Sequence, residues 1–371
     1  MNIAMVVSTF PPDSGGMGQV AYEEALRLAR RGNSVTVYTL HSNNHRDTSG
    51  MPFIITRLFG MPRFGDGGVV PSLIWRLRRA DLVHLHFPFY GAGLFTFLAC
   101  WFFRKPLIVT YHMDARPTSW LKRLVQGPAD FLAVPLIFRA ARKIITPDVG
   151  YFQSSGFNCL VRPNILMELA NGVDTNVFAP GEADWSKLRP DWRHKNILLF
   201  VGNLLSVKRL DIILFSLSQS AKQDEVLVVV GGGYEEKSLR KEATRLALED
   251  RVYFAGKCSD RVELANYYRL ATVVIISSDR ESFSLVALEA MATGKPIIGS
   301  DIPALHNRVV GSGLLFQPGS AASLRVSLDI FYNLSIDERK LMGETGRRTV
   351  IQKYDWDGHV ADLEKCYASV L

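Results

Sequence analysis

Strand-like apolar runs alternate with helix-like segments throughout the chain, and this alternation constrains the fold more than any other feature of the sequence. In the first half, residues 2–8 read as a strand, residues 18–31 carry apolar residues at helical spacing, and residues 35–40 read as a second strand. Further strands are predicted at 54–58, 82–86, 107–111 and 143–146. The pattern is typical of βαβ units in an open parallel sheet.

The second half repeats this alternation. Strands are predicted at 196–203, 225–233, 252–256 and 272–278. One helix is predicted at 210–221, and a second, charged helix follows the strand at 225–233 and ends at residue 248. A stretch rich in proline and glycine, 179–195, separates the halves, and 371 residues exceed what one core usually supports. The sequence therefore predicts an α/β protein of two parallel-sheet domains around a cleft, with ligands at the carboxyl ends of the strands.

Composition narrows the class of partner. The chain is 47% hydrophobic and 21% charged, as globular proteins are, and its net charge of +7 favours an anionic partner. Nucleic acid is not expected, because the basic residues form no platform interleaved with aromatic residues. Phospholipid headgroups and phosphorylated small molecules remain. The four cysteines show no C-x-x-C spacing, so the sequence predicts neither a disulfide framework nor a zinc site. The protein is therefore expected in the reducing cytoplasm.

The segment 87–103 has no charged residue over 17 positions, which is the lower limit for a membrane span. Pro88, Gly91 and Gly93 interrupt its beginning, and strand-like runs flank it. A buried or membrane-facing helix is therefore expected. The N-terminal residues lack a basic region and read as a first strand rather than as a signal peptide.

Two glutamates, Glu281 and Glu289, stand in the otherwise apolar or small segment 280–301. A buried carboxylate without a partner costs several kcal/mol, so either the fold or a ligand must supply one. The pattern predicts a helix whose first turn is 282–285, and its free N–H groups would form an anion site. The alternative is structural. In it, Glu281 is a first-turn carboxylate that interacts favourably with the helix dipole, and Glu289 forms a buried salt bridge.

The same segment contains E-x7-E followed by A-M-A-x-G-x-P-I, which resembles the signature of the retaining glycosyltransferases of family 4. Further matches occur in order along nearly the whole chain, namely FPPDSGGMGQ (10–19), HLHFP (84–88), TYHMD (110–114), NGVD (171–174), VGNLLSVKRLD (201–211) and GSDIPAL (299–305). The resemblance implies the GT-B fold, in which two Rossmann-like domains face each other across a cleft. It implies an acceptor-binding domain at 1–178, a nucleotide-sugar-binding domain at 179–355, and a final helix, 356–371, packed on the first domain.

Site roles follow from the resemblance for the second domain. Glu289 would accept the ribose hydroxyls of a nucleotide, and Glu281 would contact the transferred sugar. Lys208 would neutralise the diphosphate leaving group. Backbone N–H groups would meet the diphosphate at Ser282, Phe283, Ser284 and Leu285, where both serines stand in positions that are glycine in many members.

Asn203 departs from the family pattern, because most members have arginine there. Arg209 could replace the missing charge, or donor binding could be weaker. In the first domain, Gly15 and Gly16 match glycines that let the backbone approach the donor. His112 matches the histidine beside the transferred sugar; without the resemblance it reads as a structural residue at a strand end.

Metal ligands are not expected. His84 and His86 alternate on one predicted strand, but no third ligand recurs nearby in the sequence, so a structural role is favoured. The D-x-D at Asp355 and Asp357 precedes the final helix, predicted at 358–371, and is interpreted as its N-cap. The family likewise needs no metal for catalysis.

The predicted function is metal-independent, retaining transfer of a hexose-type sugar from a nucleoside diphosphate to a hydroxyl acceptor. Segment 120–143 interleaves apolar and basic residues, which suits an anionic membrane surface or core helices with a solvated face. If this segment lies on a membrane, the expected acceptor is a lipid-linked saccharide or glycolipid precursor at the inner face of the membrane. A catalytically silent scaffold that binds sugar nucleotides is the alternative, and a nicotinamide oxidoreductase is disfavoured because no G-x-G-x-x-G follows a strand.

Overall fold

The computed structural model describes residues 1–12, 15–41, 50–64, 66–114 and 132–371, and the chain divides into two compact units. Unit 1 comprises Met1–Asn171 together with Trp356–Leu371, and unit 2 comprises Gly172–Asp355. The division lies at Gly172, whereas the sequence analysis placed it after residue 178. The last residues belong to the first unit.

Among the described residues of unit 1, seven strands form a parallel sheet in the order β3-β2-β1-β6-β7-β8-β9. Their bounds are β1 Asn2–Val6, β2 Ser34–Leu40, β3 Ile54–Leu58, β6 Leu82–Phe87, β7 Leu107–Tyr111, β8 Lys143–Thr146 and β9 Leu166–Glu168; an antiparallel pair, β4 Arg63–Phe64 and β5 Gly67–Gly68, lies outside the sheet. The strands predicted at 54–58, 107–111 and 143–146 are confirmed to the residue.

Both faces of this sheet are covered, which explains its near-continuous apolar strands. Along β1, Ala4 and Val6 pack into one core cluster, whereas Ile3 and Met5 pack into another. The helices are α1 Gly16–Arg30, α2 Leu73–Arg76, α3 Ala92–Phe102, α4 at 132–140, α5 Val149–Gln153 and, from the end of the chain, α13 Trp356–Ala368.

Helix α13 completes the second of these clusters. Val360, Leu363 and Tyr367 are fully buried and share the cluster with Ala21 and Ala25 of α1. The apolar segment 87–103 contributes the end of β6 and the 11-residue helix α3. None of the helices in the described part of the chain is long and apolar enough to cross a bilayer.

Unit 2 is described throughout, and six strands form its parallel sheet in the order β12-β11-β10-β13-β14-β15. The strands are β10 Asn196–Val201, β11 Glu225–Val230, β12 Val252–Gly256, β13 Val273–Ile276, β14 Ile297–Ser300 and β15 Gly313–Phe316. The helices are α6 Leu210–Ser218, α7 Glu236–Arg245, α8 Arg261–Leu270, α9 Leu285–Ala292, α10 Pro303–Val309, α11 Ala321–Asn333 and α12 Ile336–Lys353.

Each sheet has one point where the direction of strand succession reverses. In unit 1 the chain leaves β1 towards β2 and later returns to the other side of β1 with β6. In unit 2 the same reversal separates β10 from β13. Loops that leave neighbouring strands in opposite directions open a crevice at the carboxyl edge, which is where such sheets bind ligands.

A buried ion pair ties the sheet of unit 2 to α11. Glu225 is inaccessible to solvent, and its two carboxylate oxygens accept from Arg325 at 2.8 Å each. Replacing Arg325 with methionine should destabilise the protein by about 3 kcal/mol, because the buried carboxylate loses its bidentate partner. Urea unfolding measures this loss. Adding Glu225→Gln to that variant should recover much of it, and a double variant as unstable as the single one would contradict the pairing.

Candidate functional site

Two loops at the crevice of unit 2 bring a cation and a carboxylate together. Lys208 ends a short 3-10 turn after β10, and Glu281 follows β13. The Lys208 Nζ lies 2.6 Å from Oε1 of Glu281, which also accepts from the Ser278 hydroxyl at 2.7 Å. The Ser277 hydroxyl donates to the Lys208 backbone carbonyl at 2.7 Å, so the loops hold each other in place. Sequence reasoning missed both serines.

Glu289 lies one turn into α9, and its partner is a phenol rather than the cation of the salt-bridge alternative. The Tyr268 hydroxyl, on α8, donates to Oε2 of Glu289 at 2.7 Å. Burial raises the pKa of Glu289 to about 7, and the Tyr268 hydrogen bond and the positive charge of Arg261 oppose that rise. The carboxylate is thus poised to ionise near neutral pH, where a polar ligand could use it.

The helix that carries Glu289 begins at Leu285, so the predicted first turn at 282–285 is wrong. Ser284 precedes it in the left-handed conformation, with φ of 67°, which turns the chain sharply into the helix. Glycine adopts this conformation at less cost than serine, which fits the glycine that the resemblance implies at this position. The Ser284 hydroxyl is buried without a hydrogen-bond partner, and it is therefore a further candidate for ligand contact.

The two residues before Ser284 differ in their burial. Ser282 is half-buried, whereas Phe283 is buried and packs against Tyr354 and the Arg308 guanidinium. The free N–H groups at the start of α9 follow the turn at Ser284, and they carry the positive end of the helix dipole. The anion site expected from the sequence would therefore use the N–H groups from Leu285 onward.

Arg209, the candidate to replace the charge missing at Asn203, is paired with two carboxylates in the free protein. Its guanidinium is paired with Asp211 at 3.0 Å and with Asp279 at 3.2 Å, and its backbone is left-handed with φ of 50°. These carboxylates neutralise the arginine and hold it to the loop. Asn203 is exposed after β10, so Lys208 is the cation placed beside Glu281.

In unit 1, His112 follows β7 at the carboxyl edge of the sheet and is almost fully buried. Its Nε2 lies 2.9 Å from Nδ1 of His86, on the neighbouring strand β6, and the two rings are stacked. The contact with His86 engages Nε2 of His112 and leaves Nδ1 as the nitrogen that could meet a substrate. His86 therefore orients the ring of His112.

A buried network continues from His86 to α1 and α13. Oε2 of Glu24 lies 3.5 Å from His86 Nε2, and Oε1 lies 3.1 Å from His359 Nε2. His359 Nδ1 donates to the Ala170 carbonyl at 2.8 Å. His359 thus links α13 both to Glu24 on α1 and to the backbone at residue 170.

This network corrects the expectation that His84 and His86 lack a third ligand. Glu24, which sequence reasoning missed, lies with them so that one ligand atom from each could surround an ion. However, His84 Nδ1 is already bonded to the Tyr367 hydroxyl at 2.7 Å. Among these atoms, only Glu24 Oε2 and His86 Nε2 lack a hydrogen-bond partner, and two free ligand atoms are fewer than zinc sites use. We therefore interpret the cluster as a hydrogen-bond network.

Acid should unfold the protein through these histidines. Burial lowers the pKa of His84 and His112 to about 4, and that of His86 well below 6.5, so all three are neutral in the folded state. In the unfolded chain they take up protons below pH 6.5, so stability should fall between about pH 6.5 and 4, by up to about 1.4 kcal/mol per pH unit for each histidine. Urea unfolding at pH 7, 6 and 5 measures this slope.

Replacing exposed His194 with glutamine is the control, and it should leave that slope unchanged, whereas His84→Phe should reduce it. A stability that is flat between pH 7 and 5 would contradict the neutral cluster.

The glycine loop after β1 and the D-x-D segment also differ in part from expectation. Gly15 lies at the N-cap position of α1, and Gly16 is its first residue. Nearby Gly18 packs against the protein's own backbone, because a Cβ atom there would lie 2.7 Å from the Thr9 carbonyl oxygen; the approach of Gly15 and Gly16 to a donor stays a prediction. The last helix begins at Trp356, as the bounds 356–371 have it, rather than at residue 358. Asp355 therefore directly precedes the helix, at the N-cap position, whereas Asp357 lies in its first turn.

Sequence comparison assigns a family to this architecture. The model of "Glycosyltransferase Family 4" matches residues 14–177, and that of "Glycosyl transferases group 1" matches residues 187–349. The chain belongs to glycosyltransferase family 4. It is therefore an enzyme that transfers a sugar, and the two parallel-sheet units described above are those of the GT-B fold.

Relatives and solved structures agree with this assignment. D-inositol 3-phosphate glycosyltransferase of Thermobifida fusca is 29% identical over 80% of this chain and 75% of its own. N-acetyl-alpha-D-glucosaminyl L-malate synthase of Bacillus anthracis is 24% identical over 97% of this chain and 95% of its own. The structure of Anabaena HepE in complex with UDP-glucose has a TM-score of 0.84 and 20% identity, and covers both chains fully.

Proposed function

We propose that this glycosyltransferase moves a hexose-type sugar from a nucleoside diphosphate sugar to a hydroxyl acceptor, with retention of the anomeric configuration and without a metal. The observation that carries the proposal is the arrangement of Lys208, Glu281 and Glu289 around the β10–β13 crevice. A cation, a helix N-terminus and two carboxylates at one crevice suit a ligand that has an anionic diphosphate flanked by hydroxyl groups. The HepE complex with UDP-glucose supports this class of donor.

Donor binding would exchange partners within the crevice. In the free protein Lys208 and Glu281 neutralise each other at 2.6 Å. A diphosphate competes for the ammonium group of Lys208, which frees the Glu281 carboxylate to accept hydrogen bonds from sugar hydroxyls. Ionised Glu289 accepts from the ribose, and the N–H groups at the start of α9 donate to the phosphates.

Sugar transfer then requires the bond between the anomeric carbon and the phosphate oxygen to break. Negative charge grows on the leaving diphosphate in that step, so Lys208 stabilises the transition state more than the ground state. We propose that the leaving phosphate takes the proton of the attacking hydroxyl on the same face of the sugar, which gives retention. Because Lys208 supplies the positive charge, no metal ion is required in this scheme.

The acceptor is proposed to carry negative charge. A pI near 9.2 favours such a partner, and the two relatives above are named for inositol 3-phosphate and malate acceptors. We propose a lipid-linked saccharide or glycolipid precursor, taken up at the inner face of the cell membrane. The sequence argument for a membrane relied on segment 120–143, and the first half of that segment, 120–131, lies outside the described residues.

Thermal unfolding tests the donor class. UDP, GDP, ADP and NAD are added singly, each with and without EDTA, and a nucleotide at one hundred times its Kd should stabilise the protein by about 2.7 kcal/mol. We expect one nucleoside diphosphate to stabilise the protein equally in both conditions, and NMR of the product to show a retained anomer. Stabilisation by NAD alone, or a response that EDTA removes, would refute the proposal.

A further inference from the structure

One surface of unit 1 exposes several large aromatic side chains. Trp75 of α2 and the adjacent residues Trp101 and Phe102 at the end of α3 are 60%, 71% and 62% exposed. The Trp75 ring lies 6.4 Å from that of Phe102, so these side chains form one cluster, here called the aromatic patch. Clustered exposed aromatic residues mark a binding surface, unlike single exposed apolar residues.

Arginines surround the aromatic patch. Arg76, Arg78 and Arg79 follow Trp75 on α2 and the next 3-10 turn, Arg104 follows Phe102, and all four are exposed. The only acidic residue in the sequence between positions 67 and 113 is Asp81, whose carboxylate accepts from the backbone N–H of Asn2 at 2.7 Å. The sequence that carries the patch is therefore strongly basic, which favours an anionic partner.

The outward side of α3 extends the patch with apolar residues. Ala92, Thr96 and Ala99 are fully buried in the fold, whereas Leu94 and Leu98 are only half-buried and stand at helical spacing with Trp101. A helix on the surface of a soluble domain usually has polar residues on its outer side. Here the outer side is apolar, and the charges lie at its end.

We propose that the aromatic patch and its four arginines bind the surface of an anionic lipid bilayer. Tryptophan and phenylalanine favour the boundary between headgroups and acyl chains, and arginine beside them pairs with lipid phosphates. The patch lies at the amino edge of the sheet, because α3 ends before β7 begins. Docking there leaves the carboxyl edge, with His112, free for substrate.

This inference deepens the membrane part of the proposed function by naming the surface. Its test is flotation of the full chain with phosphatidylcholine vesicles that either contain or lack phosphatidylglycerol. We expect binding only to the anionic vesicles, weakened by salt. Trp101→Ser with Phe102→Ser, and separately Arg78→Glu with Arg79→Glu, should each lower the partition coefficient at least about tenfold.

Controls on unit 2 match each change. Ile336→Ser removes an apolar side chain that is 79% exposed, and Arg193→Glu with Arg348→Glu changes the net charge by the same amount at exposed positions. Both controls should bind vesicles as the wild type does. Equal binding by wild type and patch variants, equal binding to neutral vesicles, or no binding would overturn the proposal.

Two further readouts separate the causes. If the patch variants abolish a concentration-dependent dimer in sedimentation velocity and the wild type ignores vesicles, the patch is an interface between copies and the bilayer proposal is wrong. Stabilisation by a nucleoside diphosphate should persist in every variant. Vesicle binding without any nucleotide response would refute the proposed donor and leave the docking surface standing.

Discussion

Glu289→Gln is expected to lower the affinity for the donor nucleotide by about a hundredfold, which is the largest binding effect we predict. The change keeps the size of the side chain and one oxygen for the Tyr268 hydroxyl, but it removes the negative charge that ribose hydroxyls would meet. A charge-assisted pair of hydrogen bonds in a site of low polarity supports a loss of about 3 kcal/mol. Isothermal titration calorimetry with the nucleotide identified by thermal unfolding measures the affinity.

The pH dependence of binding provides the control. Because the pKa of Glu289 is raised to about 7, affinity in the wild type should fall about tenfold between pH 8 and pH 6, as the carboxylate takes up a proton. The raised pKa has the opposite effect on the free protein, whose stability from this group is lost as pH rises through 7. In Glu289→Gln both dependences should flatten, and an unchanged affinity in that variant would exclude the ribose contact.

Lys208→Met is expected to reduce kcat by about a hundredfold to a thousandfold, while KM for the donor changes far less. The ammonium group meets the negative charge that develops as the sugar–phosphate bond breaks, so its removal raises the barrier rather than only weakening binding. Steady-state kinetics with a fixed acceptor separate kcat from KM. A rise in KM at constant kcat would assign Lys208 to ground-state binding instead.

A matched variant shows whether loss of positive charge alone matters. Lys340 lies on the exposed side of α12 and is 3.9 Å from Glu344, so Lys340→Met removes one charge from unit 2 far along the chain from the loops of the site. Its kcat should equal that of the wild type. The stability of Lys208→Met should also be compared, because Glu281 keeps the Ser278 hydroxyl as a donor and need not become unpaired.

The sheets could be predicted because their strands are short apolar runs bounded by turn residues. The residues at 107–111 illustrate this, since that run is paired on both sides, whereas the run at 54–58 is an edge strand paired only with β2. The ends of helices were predicted less well. At Ser284 the backbone is left-handed, and a serine does not reveal this from its own propensity, so the start of α9 was placed too early.

The partners of the charged residues could not be predicted, because they come from distant positions in the sequence. Tyr268 reaches Glu289 from another helix, 21 positions away. Glu24 reads as an exposed residue in the polar stretch of α1, but α13 covers it and brings His359 to it from 335 positions away. Only packing creates these pairs, whereas Lys208, Glu281 and Glu289 were predicted as site residues from the resemblance to family motifs.

The place of α13 in unit 1 also sets the order in which the nascent chain can fold. During synthesis, every residue of unit 2 leaves the ribosome before Trp356–Ala368, the helix that supplies Val360, Leu363 and Tyr367 to the core of unit 1. The second unit can therefore complete its core first, while Glu24 and His84 in the first remain without their partners from α13. Unit 1 is thus synthesised first but can complete its core only after unit 2 has been synthesised.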